Sequence, residues 1–145
     1  MLPFLSTNGE AKLHEWRSKL RSCKLPTLIQ SPTRIQAAGT MPKLIDEYIG
    51  GVNTKERRIS IAHMRSPAGW EEPGQTPEFE EYTIVLRGRL LVRYKQGTLE
   101  VAAGQAVVVH PGEWIQYSTP QEATEYIAIC MPAFSPDTVH RDDTP

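Results

Sequence analysis

The sequence predicts an all-β protein that carries one N-terminal α-helix. Beyond residue 24 the chain consists of short extended pieces separated by turn residues. Many short strands with frequent turn signals predict a sandwich or a barrel. The 145 residues suit one domain with a buried core. We therefore expect a helical extension at 1–24, a β-domain at 25–132 and an irregular tail at 133–145.

A single amphipathic helix is predicted from about residue 8 to residue 21. Thr7 or Asn8 can cap its start. Leu13, Trp16 and Leu20 recur at spacings of three and four, which makes one narrow apolar stripe. A helix this short is marginal alone in water, so we expect it to pack on the β-domain or on a partner subunit.

The strand predictions follow from alternation and from flanking turn residues. Strands are expected at 27–30, 33–36, 57–65, 80–86, 89–94, 98–101, 106–110, 114–118 and 125–131. Residues 42–51 favour one or two helical turns, because Pro42 stands at the first position and glycines follow the end. A strand is the alternative there. Residues 70–77 predict a polar, proline-containing loop.

Composition argues against several classes of protein. Lysine plus arginine number 16 and aspartate plus glutamate 17, so the near-neutral chain offers no basic surface for nucleic acid. No apolar run is long enough to span a bilayer. The apolar stretch at the start is too short for a signal peptide, and no basic residue precedes it. Cys23 and Cys130 stand far apart in no metal or redox spacing. We expect free buried thiols in a cytoplasmic protein that binds neither nucleic acid nor membrane; a disulfide between the two cysteines is the alternative.

Two segments resemble the two motifs of the cupin family. The first runs from Gly69 to Gly88 and contains Glu81; the second runs from Gly104 through Pro111-Gly112 to Ile115. The family's first motif is a Gly, five residues, His-x-His, then a Glu and a Gly seven residues after it. Its second is a Gly, five residues, Pro-x-Gly, two residues and a His. The resemblance implies a single cupin-type β-barrel, or jelly roll.

The family's metal ligands are largely missing from this chain. Cupins hold one divalent ion with three histidines and the glutamate. Glu81 matches that glutamate, but Gln75, Pro77 and Ile115 stand at the histidine positions. Proline and isoleucine side chains cannot coordinate a metal. We therefore expect no tightly held metal cofactor; the alternative is an atypical divalent ion on the oxygen-rich set Gln75, Glu78 and Glu81.

Alternation from the motif positions predicts a polar pocket. Tyr117 lies on the same strand face as Ile115, so Glu81, Tyr117 and Gln75 are expected to converge inside the barrel. Tyr126 and Met64 are added as ligand-binding candidates. The alternative for each tyrosine is a structural role, as a core aromatic whose hydroxyl is hydrogen-bonded within the protein.

Glu81 is the candidate for catalysis, with Tyr117 as its partner. Without a metal, burial would raise the pKa of the Glu81 carboxyl and suit it to general acid or base chemistry. The alternative is a structural carboxylate satisfied by neighbouring donors, and the residues do not decide between the two.

The loop before the Glu81 strand adds further candidates. A loop at the mouth of a barrel is where ligand contacts gather, and Glu78 is the acidic residue expected nearest the pocket. We expect Glu71 and Glu72 to be solvated. Trp114 is expected to pack outward and is a candidate for a subunit contact, as is Trp16; for both, packing within one subunit is the alternative.

A narrower resemblance points to the ethanolamine-utilisation cupins. Residues 81–88 and 111–118 look like the matching segments of that group, which also lacks the metal histidines. An acetate kinase activity is attributed to the group. We do not extend it to this chain, because nothing here resembles a nucleotide-phosphate loop.

These observations support two main hypotheses for function. The first is a small-molecule binding protein whose pocket needs no metal. The second is an isomerase, lyase or dehydratase of a small polar metabolite, with Glu81 as acid or base and Tyr117 or Tyr126 as partner. A weaker third is an oxygenase with an atypical metal site. The family commonly dimerises, so a homodimer is expected.

Overall fold

The protein consists almost entirely of antiparallel strands. A computed structural model describes residues 8–21 and 25–143. Its elements are α1 (Asn8–Arg21), β1 (Thr33–Ile35), β2 (Leu44–Ile49), β3 (Ser60–Ser66), β4 (Trp70–Glu71), β5 (Glu80–Arg87), β6 (Arg89–Tyr94), β7 (Gly97–Ala102), β8 (Ala106–Val109), β9 (Ile115–Thr119) and β10 (Thr124–Met131). The predicted all-β class is confirmed.

The strands form two sheets that face each other. The six-stranded sheet has the order β1-β2-β3-β10-β5-β8, and the four-stranded sheet has the order β4-β9-β6-β7. Among the residues described, no strand joins the two sheets into a closed ring of hydrogen bonds. The predicted barrel is therefore an open two-sheet sandwich, with edge strands β1 and β4 of only three and two residues.

Alternation decides which side chains enter the space between the sheets. In β5, Glu81, Thr83 and Val85 are buried, whereas Ile84 and Leu86 are 42% and 51% exposed. The alternation predicted for this strand is thus present. The buried side chains form one core: Trp70, Val85, Leu90, Val92, Val101, Val107, Val109, Ile115, Tyr117 and Tyr126.

The preferred helical interpretation of residues 42–51 is wrong, and the strand alternative is correct. This segment is β2 (Leu44–Ile49), which pairs with β1 on one side and β3 on the other. Glu47 accepts backbone N–H bonds from Val52 and Asn53, both at 2.9 Å, and so fixes the turn that follows. Tertiary pairing overrides the local signals here, because the proline and glycines mark the ends of a strand.

Two other segments differ from expectation. Residues 27–30 form no strand, and Leu28 is 80% exposed. The predicted loop at 70–77 contains the short strand β4, which pairs with β9. One face of β4 packs on the core and the other faces solvent, so its side chains alternate between buried and exposed.

The helix is present as predicted, but the described part of its apolar stripe is exposed. Leu13 is 53% exposed and Trp16 is 60% exposed. The described part of the chain therefore leaves these two side chains exposed, and a contact with a partner subunit stays a prediction. The Leu20 side chain and Cys23 lie outside the described residues.

The irregular tail packs against the sandwich. Val139 is buried, and the Phe134 ring meets the Phe79 ring edge to face at 5.9 Å between centroids. Arg141 forms an isolated antiparallel bridge with Gln75. The segment after β10 thus contributes to the interior.

A candidate binding cavity between the two sheets

A cavity of about 180 Å³ lies between the inner faces of the sheets. Its wall includes Ala62, Met64, Tyr126 and Ala128 from the six-stranded sheet, and the segments around Ile35 to Ile45 and Phe134 to Arg141 help to enclose it. The titratable side chains that line it are Lys43, Glu47, Glu72, Glu81, Tyr117, Tyr126, Cys130 and Arg141. This concentration of ionisable groups in a concave, partly apolar space marks it as the candidate site.

Glu72 is buried in this cavity, so the expectation that it is solvated is wrong. Trp70 and Glu72 point inward and Glu71 outward, because the segment runs alongside β9; the Glu72 N–H donates to the Tyr117 carbonyl at 3.2 Å. The Glu72 Oε1 atom has no hydrogen-bond partner among the described residues. Burial raises the pKa of Glu72 to about 7; the charge of Lys43 opposes this shift and that of Glu81 adds to it.

Tyr117, on β9, lies beside Glu72. Its side chain is buried, and its hydroxyl oxygen lacks a partner with hydrogen-bond geometry in the described chain. Burial raises the pKa of Tyr117 well above its ordinary value, and the nearby charge of Glu81 raises it further. The hydroxyl is therefore neutral; it interacts with the nearby Glu81 carboxylate and keeps hydrogen-bonding capacity for a ligand.

Glu81 projects from β5 into the cavity, as the alternation predicts, and meets a cysteine. It stands opposite Cys130 in the pairing of β5 with β10. The Cys130 thiol donates to Glu81 Oε2 at 3.3 Å. Burial, reinforced by the charge of Glu81, raises the pKa of the thiol. Cys130 therefore stays protonated and acts as a hydrogen-bond donor rather than as a nucleophile.

Lys43 reaches the cavity from the segment before β2. Its Nζ donates to the Tyr126 hydroxyl at 2.6 Å and lies 4.0 Å from the centroid of the Trp70 ring. Burial raises the pKa of Tyr126, while Lys43 works against that shift. The tyrosine hydroxyl is therefore neutral and holds the ammonium group in place.

The positions of the family's histidines lie close together at the edge of this cavity, where only Gln75 lines it, and they carry no histidine. Gln75 and Ile115 exchange two backbone hydrogen bonds, of 2.8 and 2.9 Å, and both side chains are buried. Pro77 accepts the Gly112 N–H at 2.8 Å. In the described part of the chain no group of three His, Cys, Asp or Glu side chains is placed to hold a metal ion.

The oxygen-rich alternative metal set is not assembled. Glu78 does not line the cavity; its side chain is 62% exposed, and Oε2 lies 3.4 Å from His140 Nε2. The reason is local, because the side chain that follows the buried Pro77 points to the opposite, solvent side. Gln75 and Glu81 do line the cavity, together with Tyr117, Tyr126 and Met64.

The remaining described histidines near the sheets face outward. His63 Nε2 lies 2.6 Å from Glu125 Oε1, and His110 Nδ1 lies 3.1 Å from Glu80 Oε2. Neither lines the cavity. Trp114 also packs outside it, where its indole N–H donates to Asp142 Oδ2 at 2.9 Å. Its outward orientation agrees with the sequence, and a subunit contact at this residue stays a prediction.

Sequence reasoning missed five titratable groups of the cavity: Lys43, Glu47, Glu72, Cys130 and Arg141. Alternation along Trp70, Glu71 and Glu72 could have found Glu72 if that loop had been treated as extended. Alternation along β10 from Tyr126 could likewise have found Cys130. Nothing local indicated Lys43 or Arg141, because long-range packing brings them to the cavity.

Comparison with known sequences gives limited information. No protein-family model matches the chain. A protein of Myxococcus xanthus (strain DK1622), named endoribonuclease YbeY, is 37% identical over 101 residues, which is 69% of this chain and 34% of that protein. The chain thus spans about a third of the length of that curated relative.

Comparison with solved structures is more informative about the fold. The polyketide cyclase RemF from Streptomyces resistomycificus matches with a TM-score of 0.66 and 16% identity, over 85% of this chain and 88% of that chain. A protein described as ethanolamine utilization protein Q, from Salmonella typhimurium LT2, matches with a TM-score of 0.57 and 16% identity, over 74% and 100%. Oxalate decarboxylase of Bacillus subtilis matches with a TM-score of 0.63 and 13% identity, over 81% and 33%.

These structures have the cupin fold, and the likeness shows that this chain has the same fold. The cavity is lined by carboxyl, phenol and ammonium groups, and none of the described histidines lines it. No helix of the described residues is long and apolar enough to cross a membrane.

Proposed function

We propose that the protein binds a small polar molecule in the cavity between its sheets. One observation carries this proposal: Glu72 Oε1 and the Tyr117 hydroxyl are both buried, both line the cavity and both lack a hydrogen-bond partner among the described residues. A buried unpaired polar group costs about 1–3 kcal/mol, and such groups are few in native proteins. A ligand that pairs with both atoms removes that cost.

The size of the cavity restricts the ligand. Drug-sized ligands occupy pockets of roughly 300–1,000 Å³, and this cavity measures about 180 Å³. Met64, Ala62 and Ala128 give it an apolar stretch of wall beside the polar groups. The expected ligand is a small metabolite with a short apolar part and at least one oxygen that can both donate and accept a hydrogen bond.

We further propose that binding requires no tightly held transition metal. Gln75, Pro77 and Ile115 supply no imidazole, and Glu78 points away from the cavity. Metal analysis of protein purified without chelator or nickel should find far less than one transition-metal ion per chain. A stoichiometric metal would contradict this and would revive the oxygenase hypothesis.

Two tyrosine variants form a matched test of the site. Tyr117→Phe should leave the free protein as stable as the wild type, or stabilise it by about 1 kcal/mol, because it removes an unpaired buried hydroxyl. Tyr126→Phe should instead destabilise it by about 1–2 kcal/mol, because it leaves Lys43 without its acceptor. Urea unfolding followed by circular dichroism measures both.

The same pair separates stability from binding. With a ligand found by thermal shift, Tyr117→Phe should weaken affinity by about tenfold or more, which corresponds to about 1.4 kcal/mol. A Tyr117→Phe protein that loses stability but keeps its affinity would show that the hydroxyl has a structural partner, and the proposal would fail.

Enzymatic turnover in the same cavity is the second candidate function. The specific observation is that Glu72 has a pKa of about 7 and lies in a cavity with Glu81 and two neutral tyrosines. General acid–base catalysis works best with a pKa near the working pH. An isomerase, lyase or dehydratase would use Glu72 or Glu81 to move the proton. Once a substrate is known, Glu72→Gln and Glu81→Gln identify which carboxyl is needed; turnover that survives both changes rules out this candidate.

A further inference from the structure

Lys43 is an ammonium group held by neutral neighbours. Its Nζ has the Tyr126 hydroxyl at 2.6 Å, the Trp70 ring at 4.0 Å and the Tyr126 ring at 5.0 Å. The ammonium group has three N–H donors, and the described residues provide a hydrogen-bond acceptor for one of them. It forms no ion pair with a carboxylate of residues 8–21 or 25–143. Aromatic faces stabilise the cation and still leave its other donors available.

Arg141 brings a second cation to the same cavity from the tail. Its position is set by the bridge to Gln75 and by the Phe134 ring, whose centroid lies 5.7 Å from the guanidinium carbon. Arg141 is exposed and so stands at the rim. The described chain gives it no ion pair either, and its charge works with that of Lys43 against the raised pKa of Glu72.

The carboxyl groups of the cavity do not neutralise these two cations by direct pairing. Glu47 accepts the Val52 and Asn53 N–H groups at the β2–β3 turn. Glu81 accepts the Cys130 thiol, and burial favours the neutral form of Glu72. The positively charged groups are therefore the ones that retain unused hydrogen-bonding capacity towards a ligand.

We propose that the ligand is a small organic anion, a carboxylate of a few carbon atoms, whose charged group binds Lys43 and Arg141 and whose hydroxyl or carbonyl oxygen meets Tyr117 and Glu72. This inference rests on the proposed function and specifies the chemistry of its ligand. Charge-assisted hydrogen bonds from ammonium and guanidinium groups to a carboxylate are roughly twice as strong as neutral ones. The ligand should lie with its carboxylate towards the segments that cover the cavity, which carry Lys43 and Arg141, and with its other oxygen towards Tyr117 on β9.

The test uses matched acids and amides of the same shape. Thermal shift of the full chain is measured with acetate and acetamide, lactate and lactamide, and benzoate and benzamide, at constant ionic strength and pH 6.5. At least one acid should raise the melting temperature in a saturable way, and its amide should bind at least tenfold more weakly. Sodium chloride at the same concentration controls for a general salt effect.

Two variants assign that effect to the cavity. Lys43→Met and Arg141→Gln should each weaken binding of the acid by about tenfold or more. Lys95→Met and Arg93→Gln, at exposed positions outside the cavity, should leave it unchanged. Arg141 is itself exposed, so its variant should fold normally even if Lys43→Met is unstable.

The outcomes distinguish this inference from the function on which it rests. If amides bind as well as acids and Tyr117→Phe weakens both, the cavity binds neutral molecules: the anion inference is overturned and the proposed function stands. If acids bind but neither cation variant changes their affinity, the anion lies elsewhere and the inference is overturned. If no compound of the panel shifts the melting temperature of the wild type, the carboxylate inference is overturned, and a wider screen of neutral polyols then decides the proposed function.

Discussion

Replacing Glu72 with glutamine should stabilise the protein by about 3 kcal/mol at pH 8 while leaving its stability at pH 4 nearly unchanged. Burial raises the pKa of Glu72 to about 7 from the ordinary 4.5. Each unit of difference between the folded and unfolded pKa is worth about 1.4 kcal/mol. Glutamine has the shape of the protonated acid and does not titrate, so it keeps the fold without the cost of ionisation.

The sign of this effect fixes its pH window. Because the folded pKa of Glu72 is raised, its protonated form contributes fully below pH 4.5. As the pH rises from 4.5 to about 7, the unfolded chain releases this proton first and the folded state loses relative stability. The difference in the free energy of unfolding between the wild type and Glu72→Gln should therefore grow from pH 4.5 to about pH 7 and be constant above that.

Urea unfolding from pH 4 to pH 9 measures this difference, and Glu71→Gln is its control. Glu71 is the exposed neighbour that points away from the cavity, so its variant should follow the wild type at every pH. If the free energies of unfolding of Glu72→Gln and the wild type run parallel with pH, the carboxyl titrates alike in the folded and unfolded states. The raised pKa of a buried Glu72 would then be refuted.

Replacing Trp70 with alanine should cost about 3–5 kcal/mol, the range for a buried tryptophan. Trp70 is 1% exposed, and its indole N–H donates to the Ala38 carbonyl at 3.3 Å. Whole domains are stable by about 5–15 kcal/mol, so this one change removes a large part of the total. It also removes the ring beneath Lys43 and the contact that holds the segment before β2 over the cavity.

Trp114→Ala is the matched control for this loss. Trp114 is half-buried and makes a hydrogen bond to Asp142 near the surface, so the same substitution should cost about 1–2 kcal/mol. Chemical unfolding gives both values at one pH. Equal losses of stability in the two variants would show that Trp70 does not anchor the core. If Trp70→Ala binds the acid as tightly as the wild type does, the ring does not position the Lys43 ammonium group.

The strands that form the site were predictable because alternation and turn residues act locally. The sequence predicted β5 and β9, and the structure places Glu81 and Tyr117 on their inner faces. The local signals failed for β2, since Pro42 and the glycines at 50 and 51 mark strand ends as readily as helix ends. Pairing on both sides of the segment, which no local pattern reports, decides its structure.

The chemistry of the cavity was less predictable than its frame. Glu72 lies in a stretch rich in turn residues and acidic side chains, so a solvated loop was the natural expectation. Its burial follows from the pairing of that stretch with β9, about 45 residues later in the chain. Lys43 and Arg141 enter from the two segments that cover the cavity, and only the complete packing places them together.

The unpaired Tyr117 hydroxyl and Glu72 oxygen have a consequence for how much folded protein a cell maintains. On the proposed function, the empty form is the less stable form, and ligand at one hundred times its dissociation constant adds about 2.7 kcal/mol. Because proteases remove unfolded chains continuously, a change of this size alters abundance several-fold. The level of the protein in a cell should then rise and fall with the concentration of its ligand without any change in synthesis. A destabilised core variant that is degraded in cells lacking the ligand should accumulate when the ligand is supplied.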